Sequence, residues 1–299
     1  MNTDVNIQIG NFEELQSPVK SKSLEQVYSI TLRVVKCFLL TTGIIYVLIC
    51  LMFLLFQNRL IFIPTNELTQ VPVKSAHSFA NLVVSSQNGQ NLCAWYIPAK
   101  NSVGTVLYCR GNKGNISDDM SVTETWNRLS YNVMIFDYQG FGMSGGEPSE
   151  LNCYDDAESV YNWLRDNRLL TKKIILHGKS IGGAIAAKLA NHVKCDGLII
   201  ESSFTSIKEL GRKRFPFVPS LLYYNEFPTE TLLKSVETPV LIMHSTEDNT
   251  IPFYMGQKLF DAVHGEKSFY TLQGEQGQSI SHNPGYLRAL QTFTGSLKN

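Results

Sequence analysis

Residues 174–190 read IILHGKSIGGAIAAKLA. Ile174, Ile175 and Leu176 form a short aliphatic run of the kind that makes a buried parallel strand. Ala184 to Ala190 is strongly helix-forming. Only a few residues separate the two, so the turn between them is tight. Gly178, Gly182 and Gly183 lack a Cβ and allow unusual dihedrals and close packing of helix on strand. Ser180 then projects from a sharp bend at a helix N-terminus, where developing negative charge is favoured. The run from Gly178 to Gly182 is G-x-S-x-G, the nucleophile elbow, in the strand–turn–helix context that this motif requires.

Outward from this stretch, strand and helix signals alternate from about residue 72. Strands are expected at Asn81–Ser85, Leu92–Ile97, Gly104–Cys109, Asn132–Asp137, Lys173–His177, Gly197–Glu201, Pro239–His244 and Ser268–Leu272. Helices are expected near 118–129, 153–167, 181–192, 255–264 and 284–296. This alternation implies an α/β fold, a mostly parallel sheet with helices on both faces. Short connections between the first strands imply an antiparallel start.

A serine hydroxyl is a weak nucleophile. It needs a base within reach, and the base needs an orienting carboxylate. In a strand–elbow–helix fold the chain order is serine, acid, histidine. The strand ending at His244 runs into Ser245-Thr246-Glu247-Asp248, where Asp248 is the first candidate acid and Glu247 a weaker one. The loop after the last strand carries His282, the base candidate. Of six histidines, no other lies beyond that strand. The oxyanion hole calls for the N–H of the residue after the nucleophile, Ile181, and a second N–H from an early loop. The strand ending at Cys109 leads into RGNKGN, where Gly111 and Gly114 let the backbone turn inward. Asn112 supplies the second N–H in this reading, with Lys113 as a substitute.

With 26 basic and 26 acidic residues the chain has no net charge, which argues against nucleic acid as a partner. Cysteines are scattered with no metal-like spacing, and neither a metal nor a cofactor is expected. From Cys37 to Phe56 the sequence CFLLTTGIIYVLICLMFLLF carries no charge for twenty residues, the length of a transmembrane helix. Residues 1–36 form a polar N-terminal tail and 57–299 a globular domain. Lys20, Lys22, Arg33 and Lys36 precede the span, and only Arg59 closely follows it. The membrane bilayer is thus an expected partner, with a cytoplasmic N-terminus and the globular domain on the opposite side. Asn115-Ile116-Ser117 matches an N-glycosylation acceptor, but it falls in the loop assigned to the oxyanion hole.

Taken together, FQNRLIFIP, RGNKGN, FDYQGFGMSGGEPSE, HGKSIGGAIA, ESSFTSI, PVLIMHSTEDNTIP and SHN resemble, in order over residues 56–290, the α/β-hydrolase superfamily. More narrowly they are similar to membrane-anchored bud-emergence-type serine hydrolases, relatives of abhydrolase-domain protein depalmitoylases. The resemblance implies an eight-stranded α/β-hydrolase core, metal-free acyl hydrolysis, and a triad of Ser180, Asp248 and His282. Two positions depart from the family pattern: Arg110 stands where histidine is usual, and Ser245 follows His244 where glycine is usual. Arg110 either shifts the oxyanion-hole geometry, adds a positive charge near an acidic substrate group, or pairs with a nearby carboxylate. The segment from about 207 to 235 has room for a short cap of one or two helices, hence an open site. Within it, RKRFPFVPSLLYY suits a membrane surface or an acyl-chain groove as well as a packed excursion over the sheet edge. An acyl ester, lipid or acylated protein is the expected substrate. The alternatives are a catalytically silent scaffold and a serine peptidase acting on small peptides.

Overall fold

The structure, a computed structural model, describes residues 19–69, 79–170, 172–274 and 284–297. The chain divides into two units between Phe53 and Leu54. The first is helical: α1 runs Val19–Ile61, and its last turns belong to the second unit. The helix overruns the uncharged stretch at both ends and includes residues 19–36, expected within the polar tail. Arg33 and Lys36 interrupt the apolar character there but are good helix formers. The helix is long and apolar enough to cross a membrane. Its uncharged twenty residues span about 30 Å, the thickness of a bilayer's hydrocarbon core.

In the second unit, a two-residue strand β1 (Ile63–Pro64) leads to β2 (Ala80–Ser85), β3 (Asn91–Ile97) and β4 (Gly104–Cys109). Next come β5 (Lys113–Gly114), α2 (Met120–Arg128), β6 (Tyr131–Phe136), α3 (Glu150–Asp166), β7 (Lys173–Lys179) and α4 (Ile181–Ala190). The remainder is β8 (Gly197–Glu201), α5 (Ile207–Arg214), α6 (Thr229–Leu233), β9 (Val240–Ser245), α7 (Phe253–Ala262), β10 (Lys267–Leu272) and α8 (Pro284–Ser296). Eight strands form one sheet in the order β10-β9-β8-β7-β4-β6-β3-β2. The strands from β10 to β6 are parallel, while β3 pairs antiparallel with both β2 and β6. The antiparallel start and the strand positions match the sequence expectations.

Successive strand residues face opposite sides. Leu107, Cys109, Leu176, Ile200 and Ile242 pack under α3, α4 and α7. Val106, Tyr108, Ile175, Ile199 and Leu241 pack under α2 and α8. Every strand buried on both faces lacks a polar period, which is why the central strands read as continuous apolar runs. The parallel strands all end at one edge of the sheet, where ligand sites of open α/β sheets form. The cap over this edge is α5, a 3₁₀ turn at Ser220–Leu222, and α6.

Candidate active site

Ser180 lies between β7 and α4 with φ 55° and ψ −119°, a left-handed conformation that a residue with a Cβ rarely adopts. Three hydrogen bonds hold this bend: Ser180 N–H donates to the Glu201 carbonyl (2.8 Å), and the Ser180 carbonyl accepts from Gly183 N–H (3.0 Å) and from Ser203 Oγ (2.7 Å). The serine side chain makes no capping bond to its own helix, so its oxygen is not used up in structure.

The elbow glycines are needed for space. A Cβ on Gly178 would overlap the Gly182 carbonyl, and one on Gly182 would overlap the Cys109 carbonyl. At Gly183 it would come within 2.5 Å of Ser203 Oγ. Gly111 differs: a Cβ there would sit 3.8 Å from Ser180 Cβ, an ordinary contact. That distance also places the loop after β4 directly beside the serine.

In this loop the Asn112 carbonyl accepts from Ile63 N–H (2.9 Å), and its side-chain amide donates to the Ile61 carbonyl. No hydrogen bond from the Asn112 N–H is present among the described residues. The Ile181 N–H is the first of α4 and has no intrahelical acceptor. Lys113 is exposed and sits in β5, paired with Ile63.

Arg110 is 1% exposed. Its Nη2 donates to the carbonyls of Lys113 (2.8 Å) and Asn115 (2.6 Å). Its Nε and Nη1 lie 3.4 Å and 3.5 Å from the carboxylates of Asp119 and Asp137. The guanidinium is therefore an internal brace for the loop. Burial pushes Asp137 up to about 7, with the Arg110 charge pulling against it. Asn115 is fully buried. Its amide donates to the carbonyls of Thr65 and Glu67 and its Oδ1 accepts from Ser117, so the glycosylation pattern is closed to sugar in the folded chain.

Asp248 and Glu247 are separated by burial: Asp248 is buried and Glu247 exposed. Asp248 Oδ1 accepts from the N–H groups of Thr250 and Ile251, both at 2.8 Å. Its Oδ2 is buried and has no hydrogen-bond partner among the described residues. The nearest candidate, His244 Nε2, is 3.7 Å away and donates instead to the Ile251 carbonyl (2.9 Å). Burial lowers His244 and keeps it neutral.

His282 lies outside the described residues. The described residues on either side of it are anchored by hydrogen bonds. Ser245 Oγ donates to the Gly274 carbonyl at 2.5 Å, which gives a use to the serine found where glycine is usual. Tyr286, early in α8, donates to Glu201 Oε2 at 2.7 Å. The same Glu201 oxygen accepts from His177 Nε2 (3.0 Å), whose Nδ1 accepts from the Trp126 indole (3.1 Å). With the indole N–H aimed at Nδ1, Nε2 is the ring nitrogen that donates to Glu201. Burial pushes Glu201 up, but the His177 bond, the Lys179 charge and the Tyr286 hydroxyl outweigh it and hold the carboxyl at about 2. Sequence reasoning missed Glu201 and Tyr286, which are 85 residues apart. Only ESSFTSI, quoted as a motif, pointed to one of them.

A family profile described as "Serine aminopeptidase, S33" matches residues 100–224, from β4 through the elbow to the cap. The Saccharomyces cerevisiae membrane protein YNL320W is 32% identical over 80% of this chain and 88% of its own length. The Danio rerio lysophosphatidylserine lipase ABHD12 is 31% identical over 64% of this chain and 56% of its own length. Among solved structures, the Pyrococcus furiosus esterase Pf2001 superposes with a TM-score of 0.67 at 17% identity, over 80% of this chain and 99% of that one.

Proposed function

The chain belongs to the α/β-hydrolase superfamily and is a hydrolase, and we propose that it is a membrane-anchored serine hydrolase cleaving acyl ester or thioester bonds through Ser180, Asp248 and His282. The observation that carries this is the elbow: a serine held at φ 55° by three hydrogen bonds, with its hydroxyl left free of the helix. Strain of this kind persists only where the surroundings over-determine it, and it clusters at reactive groups.

His282 takes the Ser180 proton as the serine oxygen attacks the carbonyl carbon. Asp248 Oδ2, buried and unpartnered among the described residues, accepts from the imidazole and stabilises its charged form. The N–H groups of Ile181 and Asn112 bind the oxyanion. The protonated histidine gives its proton to the leaving alcohol or thiol. Water then attacks the acyl-enzyme with His282 again as base, and the acid and the free serine are released.

The cap supports an acyl or lipid substrate. Leu221, Phe217 and Tyr224 are exposed apolar side chains in the same short cap as the exposed Arg212, Lys213 and Arg214. The cap is also tied to the residues that follow the apolar run: Gln57 Nε2 donates to the Leu222 carbonyl (2.9 Å), and Tyr224 OH to Asn58 Oδ1 (3.1 Å). A cap joined to the end of a membrane span reaches acyl chains at a bilayer surface more readily than soluble sugars. The charge difference across the span favours a cytoplasmic N-terminus. Protease protection of a C-terminal epitope in sealed microsomes tests that side; cleavage from the cytoplasmic side reverses the topology.

The chemistry is tested by fluorophosphonate labelling of the full chain beside Ser180→Ala. Labelling and ester hydrolysis are both expected to vanish in the variant, and a variant that keeps them removes Ser180 from the mechanism. A panel of p-nitrophenyl esters, acyl thioesters and aminoacyl nitroanilides run together separates ester from peptide cleavage. The last is included because the matching family profile is described as an aminopeptidase.

A further inference from the structure

The segment between the apolar helix and β2 holds the loop after β4 through contacts that the fold of the sheet does not require. Strands β1 and β5 form a separate two-stranded parallel ladder, Ile63 opposite Lys113 and Pro64 opposite Gly114. Ile63 N–H donates to the Asn112 carbonyl (2.9 Å) and Thr65 N–H to the Gly114 carbonyl (3.2 Å). The Asn112 side chain donates to the carbonyl of Ile61, the last residue of α1, one of the terminal carbonyls that a helix leaves without an intrahelical donor. Thr65 is clasped in turn: its carbonyl and Oγ1 accept from Asn115 Nδ2 (3.2 and 3.0 Å), and its carbonyl also accepts from Gly142 N–H (3.2 Å). Phe62, 3% exposed, pins the segment by packing edge-on to Phe141 and Phe227 at centroid distances of 6.3 and 6.2 Å.

An oxyanion hole works only when its donors are already in place, because a donor that must reorganise returns the stabilisation it gives. The loop that carries Asn112 contains Gly111 and Gly114, the latter at φ 77°, and glycines on their own leave a peptide free to turn. Arg110 braces this loop from inside, at the Lys113 and Asn115 carbonyls. Neither bond reaches the Asn112 peptide. The carbonyl and the side chain of Asn112 are both held by residues 61–63, and its N–H is the group the ladder leaves over.

We propose that Ile61 to Thr65 is the positioning element of the oxyanion hole: by gripping the carbonyl and side chain of Asn112, it aims the Asn112 N–H beside Ser180. This rests on Asn112 as an oxyanion donor in the proposed reaction. The residues that end the apolar helix are then part of the catalytic apparatus, and α1 is more than an anchor.

Position 63 offers a clean test, because the Ile63 side chain is 49% exposed and the role lies in its N–H. The full chain in phospholipid nanodiscs is compared as parent, Ile63→Ala and Ile63→Pro. Measured are kcat and KM for an ester, thermal midpoint, and inhibition by an acyl trifluoromethyl ketone, whose tetrahedral adduct carries an oxyanion. Ile63→Ala keeps the N–H and is the reference against which the proline variant is read, so that loss of the side chain is separated from loss of the donor. Ile63→Pro deletes it, and kcat is expected to fall about 10- to 100-fold, below the full loss seen when an oxyanion donor is removed outright. KM stays within about twofold, and the ketone weakens by the same factor as kcat. Asn112→Ala keeps its own N–H but loses the bond to Ile61, and is expected to weaken kcat and ketone binding together. It decides the matter if the proline variant does not fold. Parent-like kcat in a folded Ile63→Pro or a folded Asn112→Ala overturns the proposal, as does a loss shared equally by KM, ketone binding and thermal midpoint, the mark of general loosening. The Ser180→Ala control separates the two levels: residual hydrolysis there removes the reaction itself, whereas an inert Ser180→Ala with an unaffected Ile63→Pro removes only the positioning role.

Discussion

Replacing Arg110 by methionine keeps much of the volume and removes the charge and its donors. The parent guanidinium supports two carbonyls at 2.8 and 2.6 Å and faces Asp119 and Asp137 at 3.4 and 3.5 Å, with Asp137 fully buried. Removing one member of such a buried pair costs about 3–5 kcal/mol, because the other charge is left without a partner. Asp137 escapes part of this by binding a proton. Its carboxyl is already raised to about 7, first by burial, and losing Arg110 raises it further. The folded state then keeps a proton that the unfolded chain, with an aspartate near 3.9, has released, so stability falls as pH rises between those two values. In the parent that fall ends near pH 7. In Arg110→Met it continues, and the deficit against the parent grows by about 1.4 kcal/mol per pH unit above 7. The expected deficit is about 2 kcal/mol at pH 6, from the lost carbonyl bonds alone, and about 3.4 kcal/mol at pH 8. Urea unfolding in detergent micelles, followed by the emission of the buried Trp95 and Trp126, measures both. Adding Asp137→Asn should flatten the pH dependence. A deficit that is equal at the two pH values, or larger at pH 6, refutes the assignment of Arg110 as the counter-charge of Asp137.

Other outcomes follow from the same geometry. Asp248→Asn leaves the Oδ1 acceptor in place but presents an amide to the imidazole; kcat is expected to drop about 10³- to 10⁴-fold with little change in KM, and a drop under tenfold would falsify the role of Asp248. Gly182→Ala forces a methyl onto the Cys109 carbonyl and should prevent folding, whereas Gly111→Ala meets Ser180 Cβ at 3.8 Å and should keep the parent's thermal midpoint; equal midpoints for the two would contradict the packing at the elbow. Tyr286→Phe removes the 2.7 Å bond to Glu201 and should cost about 1–2 kcal/mol at neutral pH. Glu201 is depressed to about 2, so its contribution is complete above about pH 4.5 and is lost as pH falls toward 2; the Tyr286→Phe deficit should shrink over that window, and a deficit that widens there would be wrong in sign.

The strands were legible to within a residue or two because each is a continuous apolar run bounded by Gly, Pro or polar residues, and the elbow was legible because its three glycines leave few other conformations. Asp248 and Glu247 were both legible as candidate acids, and the fold separates them, burying Asp248 and leaving Glu247 exposed. What the sequence hid were contacts between distant segments. Glu201 meets Tyr286 and His177 only once β7, β8 and α8 lie side by side. A two-residue ladder such as β1–β5 has no periodicity to detect. Arg110 was visible as a departure, yet its purpose depends on where Asp119 and Asp137 stand, nine and 27 residues later. The helix ran past the apolar stretch because helix propensity continues through Arg33 and Lys36 after hydrophobicity has stopped.

The bond from Gln57 to the Leu222 carbonyl joins residues 165 positions apart, and this orders events during synthesis. The apolar helix leaves the ribosome first. At about 5–20 residues per second, its partner segment follows roughly 8–33 seconds later. During that interval Gln57, Asn58 and Phe62 wait with their hydrogen-bonding and apolar surfaces unmatched. Closure of the domain is therefore a late step, and a chaperone that shields this short stretch would act between synthesis of the helix and completion of the cap.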